Sequence, residues 1–112
     1  MAESEKATTQ ASDWTDLCPL ADVPQVGGGK FVACKNRALA VFRQGEEIKV
    51  IDDTCPHAGG SLASGFIRDG VVHCPWHGWP FRLADGVCPD NPNIKVASYE
   101  ARIEGDKVQA KI

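Results

Sequence analysis

The sequence predicts an all-β fold, an antiparallel sandwich or barrel built from short strands. Apolar and polar residues alternate with a period of two near the end of the chain, and turn residues recur about every 8–12 residues. No window of about 11 or more residues shows the 3.6-residue apolar period of a helix. The length of 112 residues suits a single domain.

Eight segments have the composition of strands. The last two show the clearest alternation, with Tyr99, Ala101 and Ile103 on one face of the first and Val108 and Ala110 on one face of the second. We expect hairpin turns at residues 44–46, 68–70 and 105–106. The predicted strands are Trp14–Leu17, Lys30–Cys34, Leu39–Phe42, Ile48–Asp52, Gly65–Arg68, Val71–Cys74, Val96–Glu104 and Lys107–Ile112.

Composition limits the classes of function. The formal net charge of −3 argues against nucleic-acid binding, which favours a basic surface. No apolar run approaches the ~20 residues of a membrane span. Residues 1–12 are polar and do not resemble a secretory signal, so we expect a flexible tail, a single domain over residues 13–112 and a cytoplasmic location.

The segment from residue 54 to residue 92 differs in amino-acid composition from the rest of the chain. It holds five of the seven prolines, all three histidines and three of the five cysteines. A loop region this long is costly in a small domain unless something other than apolar packing holds it. A metal centre is the economical explanation.

Two short motifs supply metal ligands within this segment: Cys55-Pro56-His57 and Cys74-Pro75-Trp76-His77, separated by sixteen residues. Each offers one thiolate and one imidazole. Two sulfur and two nitrogen ligands suit structural zinc as well as an iron–sulfur cluster, although zinc fingers usually pair cysteine with cysteine and histidine with histidine. A Cys–His hydrolase is a further alternative, but it leaves the second motif without a role.

The motifs resemble those of the Rieske family, through residues 55–60 and residues 74–79. The resemblance implies a sandwich or barrel base with a small inserted cluster-binding subdomain, whose loops span about residues 54–92. It also implies one Rieske-type [2Fe–2S] cluster, with Cys55 and Cys74 on the inner iron and His57 and His77 on the outer iron.

Departures from two branches of the family narrow the expected function. The quinol-oxidising branch has two further cysteines where this chain has Gly60 and Trp76, and hydroxyl side chains where it has Trp79 and Phe81. Fewer hydrogen bonds to the sulfurs predict a reduction potential near the low end of the Rieske range. A ring hydroxylase needs a second iron held by two histidines and a carboxylate, and only His73 remains for it.

We therefore expect a one-electron carrier and not an enzyme. The favoured candidate is a ferredoxin that passes electrons from a flavin reductase to an oxygenase. The alternative within the family is the small subunit of an NAD(P)H-dependent assimilatory nitrite reductase, bound to its large subunit. A structural zinc module for protein interaction is the alternative from another class.

Smaller expectations concern the surroundings of the site. We expect Trp76, Trp79, Pro80 and Phe81 either to form an apolar collar for docking partners or to pack the loops against the sandwich. Cys18, Cys34 and Cys88 fall outside the motifs and are expected to act as small buried apolar side chains. Cys88 is the nearest of them to the site in the sequence, and partial exposure there would allow redox sensing.

Overall fold

The computed structural model describes residues 14–24, 28–56, 59–75 and 78–112, so the predicted tail over residues 1–12 lies outside the described residues. The described residues form ten strands and two single-turn 3₁₀ helices, Leu20–Asp22 and Leu62–Ser64. The strands are β1 (Trp14–Pro19), β2 (Lys30–Cys34), β3 (Arg37–Gln44), β4 (Glu47–Asp52), β5 (Phe66–Arg68), β6 (Val71–His73), β7 (Pro80–Arg82), β8 (Ser98–Tyr99), β9 (Ala101–Glu104) and β10 (Lys107–Lys111).

The strands form three antiparallel sheets, which confirms the predicted all-β class. Their strand orders are β1-β10-β9, β2-β3-β4-β8 and β5-β6-β7. The third sheet lies between β4 and β8 in the chain, so it is an insertion between two strands that pair with each other. No helix in the part of the chain that the structure describes has the length and apolar character of a membrane span.

The sheet β2-β3-β4-β8, called the middle sheet below, lies between two cores. From β3, Leu39 and Val41 pack into one core with the β1-β10-β9 sheet, while Ala40 and Phe42 pack into another core with the inserted sheet. Side chains of a strand alternate between faces, and here both faces meet a core. This explains why residues 38–42 are apolar without alternation.

Two strand predictions need correction. The predicted strand Val96–Glu104 begins at Ser98 and divides at Glu100, because β8 pairs with β4 and β9 pairs with β10. A strand that passes from one sheet to the next makes a corner of the sandwich. Strand β7 was missed, since it is three residues long and begins with a proline.

The predicted hairpin turns lie where they were expected, between β3 and β4, between β5 and β6, and between β9 and β10. One further hairpin joins β2 to β3 through Lys35 and Asn36, with φ angles of 53° and 64°. Positive φ at both central residues is typical of the type I′ turn. The sequence did not indicate this turn because it contains no glycine.

Candidate metal centre

Two loops carry the predicted cysteine ligands. The first loop, residues 54–61, follows β4, and the second loop, residues 74–79, joins β6 to β7. Cys55 and Cys74 are each only 1% exposed and lie in the same core, the one between the middle sheet and the inserted sheet. The fold therefore places both cysteines in one core.

The described parts of the two loops share one backbone hydrogen-bond pattern. The Cys55 amide donates to the Gly60 carbonyl at 2.9 Å, and the Cys74 amide donates to the Trp79 carbonyl at 2.9 Å. The Gly59 amide donates to the Cys55 carbonyl at 2.8 Å, and the Gly78 amide repeats this with Cys74 at 2.8 Å. Each cysteine is thus held by bonds to residues four and five positions later.

A glycine closes each loop in the left-handed region. Gly59 has a φ of 79° and Gly78 a φ of 74°, and no described atom beyond the adjacent residues lies within 4 Å of where a Cβ would be. The requirement for glycine is therefore conformational and not steric, since side chains with a Cβ rarely adopt this φ. The equivalence of the two glycines supports the interpretation of the motifs as one duplicated device.

The predicted histidine ligands His57 and His77, together with Trp76, lie outside the described residues. Within the described ranges no group of three or more His, Cys, Asp or Glu residues is placed to bind a metal ion. The described half of the predicted site is the cysteine pair. Two buried thiols in matched loops suit the cysteine-bound iron of a Rieske-type cluster, which takes two thiolates.

The aromatic residues after Cys74 divide between the two predicted roles. Phe81 is 0% exposed and belongs to the core beside both cysteines, so a docking role for Phe81 is wrong. As an interior residue of β7 it points away from solvent. Trp79 and Pro80 are half-buried, and Trp79 packs against the same core.

His73 stacks against Phe66, its partner across β5 and β6. Their ring centroids are 4.9 Å apart and the planes differ by 11°. The Nδ1 atom of His73 lies 3.3 Å from the Gly78 carbonyl oxygen, within hydrogen-bond distance. These contacts give His73 a structural role in the inserted sheet.

The remaining cysteines are packing residues. Cys88 is 2% exposed in the core beside the loops, which confirms the expected buried apolar role and excludes the exposure that redox sensing would need. Its amide donates to the Ile94 carbonyl at 3.0 Å. Cys18 and Cys34 pack against the other core but are only half-buried, less than the full burial expected of them. Burial, followed by the charge of Asp22, raises the pKa of the Cys18 thiol and disfavours its reactive thiolate.

One residue at the site was not predicted. Asp53 is 4% exposed and stands between β4 and the first loop. In the sequence it follows Asp52 and looks like a polar residue at the end of a strand. Only its burial in the fold distinguishes it from an ordinary turn residue.

Comparison with known proteins gives a match to the model of the Rieske [2Fe-2S] domain over residues 13–100. Ferredoxin CarAc of Metapseudomonas resinovorans is 30% identical over 97 residues, which cover 85% of this chain and 90% of the ferredoxin. Cholesterol 7-desaturases of Drosophila melanogaster and Hemicentrotus pulcherrimus also match, but the chain spans only 16% and 20% of their lengths.

Solved structures give the same picture. The ferredoxin of Sphingomonas yanoikuyae B1 has a TM-score of 0.79 at 29% identity, covering 89% of this chain and 99% of that one. A Mycobacterium tuberculosis protein assigned as an NADH-dependent nitrite reductase small subunit has a TM-score of 0.79 at 25% identity, with 88% and 93% covered. A complex of oxygenase and ferredoxin in carbazole 1,9a-dioxygenase contains a match with a TM-score of 0.75 at 27% identity, covering 88% and 92%.

Proposed function

Since the chain belongs to the Rieske [2Fe-2S] domain family, we propose that it is a one-electron carrier and that Cys55, His57, Cys74 and His77 bind its cluster. The cofactor of this family is a [2Fe-2S] cluster. The observation that carries the proposal is the pair of buried cysteines in two loops with one hydrogen-bond pattern.

When bound, the cluster accepts and releases one electron. The chain supplies the surroundings for that exchange. The core around Cys55 and Cys74 keeps water from the thiolates, and the backbone bonds of Gly59 and Gly78 hold the loops that carry them. A rigid protein environment of this kind tunes the reduction potential through burial and hydrogen bonding.

The proposed partners are a reductase and an oxygenase. Two ferredoxins similar to this chain match it over 90% and 99% of their own lengths, and a further similar chain is solved in a complex of oxygenase and ferredoxin. Under this proposal the chain is itself not catalytic. Redox encounters of this kind bury little surface, so the half-buried Trp79 and Pro80 beside the second loop suffice as an apolar docking patch.

The nitrite reductase small subunit is the second candidate. It is favoured by the TM-score of 0.79 and the 93% coverage of the Mycobacterium tuberculosis protein. In that case the chain is a fixed subunit beside a large subunit. A pull-down from the native host separates the two candidates, because a ferredoxin captures an oxygenase or reductase transiently, whereas a subunit co-purifies with a large partner in a fixed ratio.

The ligand assignment is tested by single substitutions with matched controls. Cys74→Ser and His77→Ala are expected to abolish the visible absorption and the EPR signal of the reduced protein. Cys34→Ser and His73→Ala change the same residue types outside the proposed ligand set and are expected to retain both signals. A normal spectrum in Cys74→Ser or His77→Ala would contradict the assignment.

A further inference from the structure

Asp53 is a buried acidic side chain next to the first loop. In the part of the chain that the structure describes, it is the one buried charged side chain, with 4% of its surface exposed. No ion pair joins it to a described lysine or arginine. Burial of a carboxylate without a cation costs several kcal/mol unless hydrogen bonds offset it.

Three hydrogen bonds that Asp53 accepts close the first loop, whereas its own amide donates to the Ala38 carbonyl at 2.9 Å. The Ser61 hydroxyl donates to Asp53 Oδ1 at 2.9 Å, and the Ala63 amide donates to the same oxygen at 2.8 Å. The Leu62 amide donates to the Asp53 backbone carbonyl at 2.7 Å. Three consecutive residues, the last of the loop and the two that follow it, are therefore tied to the residue two positions before Cys55.

The second loop is closed in a different way. Strands β6 and β7 pair at three positions directly beside it, Val71 with Arg82, Val72 with Phe81 and His73 with Pro80. Among the described residues, the first loop has a single β-bridge at its base, between Thr54 and Ser61. At the base of the first loop, the hydrogen bonds of the Asp53 carboxylate thus do what the backbone pairs of β6 and β7 do at the base of the second loop.

We propose that Asp53 is a positioning residue for the cluster, which fixes the base of the first loop so that Cys55 keeps its place, and whose negative charge lowers the reduction potential. The inference rests on the proposed role of Cys55 as a ligand. The effect on the potential follows because reduction adds negative charge, which a nearby buried carboxylate disfavours. A neutral side chain at residue 53 therefore raises the potential.

The first test compares Asp53→Ala with Asp53→Asn. Asparagine retains an oxygen that accepts from Ser61 and Ala63, whereas alanine removes it. A hydrogen bond to a charged group contributes enough that its loss weakens a site by about tenfold or more. We expect iron release to a chelator to be about tenfold faster in Asp53→Ala, and close to the wild-type rate in Asp53→Asn.

The second test is the reduction potential of Asp53→Asn, with Asp52→Asn as the matched control. Asp52 is the adjacent residue, but its Oδ1 accepts from the Tyr99 hydroxyl at 2.7 Å and not from the first loop. We expect the potential to rise in both variants and to rise more in Asp53→Asn. Loss of loop packing alone would not produce this difference, because asparagine preserves the hydrogen bonds.

A third variant keeps the proposal falsifiable if Asp53→Ala does not fold. Ser61→Ala removes one donor and leaves the charge, so it is expected to release iron at an intermediate rate with little change in potential. The proposal is overturned if Asp53→Ala or Ser61→Ala releases iron as slowly as the wild type, or if Asp53→Asn changes the potential no more than Asp52→Asn. A wild-type protein without a [2Fe-2S] cluster would instead refute the proposed function.

Discussion

Substitution of Gly65 by alanine is expected to disturb the second loop, although Gly65 is not itself part of that loop. Gly65 lies just before β5, and the backbone carbonyl of His73 lies against the position that a Cβ on Gly65 would occupy. A Cβ at this position would lie 2.1 Å from the His73 oxygen, 3.1 Å from the His73 carbonyl carbon and 3.2 Å from the Leu62 oxygen. All three atoms belong to the backbone, so no flexible side chain can move aside.

The expected loss in free energy of unfolding follows from the distance that the His73 backbone must move. An ordinary Cβ contact begins near 3.4 Å, so the His73 carbonyl has to move by more than 1 Å. Overpacking of this kind typically costs about 1–3 kcal/mol, and rigid backbone atoms place Gly65→Ala near the upper value, about 3 kcal/mol. His73 is followed directly by Cys74, so we expect lower iron content as well.

The assay is urea unfolding of Gly65→Ala, with Gly45→Ala as the matched control. Gly45 lies in the turn between β3 and β4 with a φ of 63°, and in the described part of the chain no atom beyond its two neighbours lies within 4 Å of its Cβ position. The control therefore carries only the cost of left-handed backbone, about 1–2 kcal/mol. Equal stability of the two variants, or full iron content in Gly65→Ala, would refute the reasoning.

Three further predictions concern other residues of the fold and the site. Phe81→Ala removes a fully buried ring and is expected to cost about 3–5 kcal/mol in urea unfolding, whereas Phe66→Ala, at a half-exposed ring, costs far less; similar losses would contradict the packing role. Burial, followed by the hydrogen bond to Asp52, raises the pKa of Tyr99 above 10.0. The folded state thus holds this proton more tightly, so stability falls as the pH rises through about 10; Tyr99→Phe should flatten this dependence in unfolding curves and cost about 1 kcal/mol at neutral pH, and an unchanged pH profile would exclude the effect. The second loop lacks the hydroxyl groups of the quinol-oxidising branch, so voltammetry should give a potential of roughly −150 mV, and a strongly positive value would overturn that comparison.

Much of the fold could be predicted because period-two alternation reports directly on one buried face. Strand β10 illustrates this, since its inward positions Val108 and Ala110 are fully buried as the pattern indicates. Alternation reports only that a strand has a buried face and not which strand is its partner. It therefore gave one strand over residues 96–104, although pairing with β4 and then with β10 divides that segment at Glu100.

At the site, the sequence identified what the chemistry requires and missed what only the tertiary structure decides. The cysteine motifs were recognisable because ligand type and spacing are properties of the chain itself. The burial of Phe81 was not, since an aromatic residue near a metal motif suits a docking patch and a core equally well. Asp53 was missed because its role arises from the later residues that converge on its carboxylate.

The most direct test of the account is metal and sulfide analysis of the purified wild-type protein, together with its EPR spectrum before and after reduction. We predict two irons and two acid-labile sulfides per chain, as in a [2Fe-2S] cluster, and a Rieske-type signal that is present only after reduction. A colourless protein that contains zinc and gives no signal on reduction would contradict the central claim.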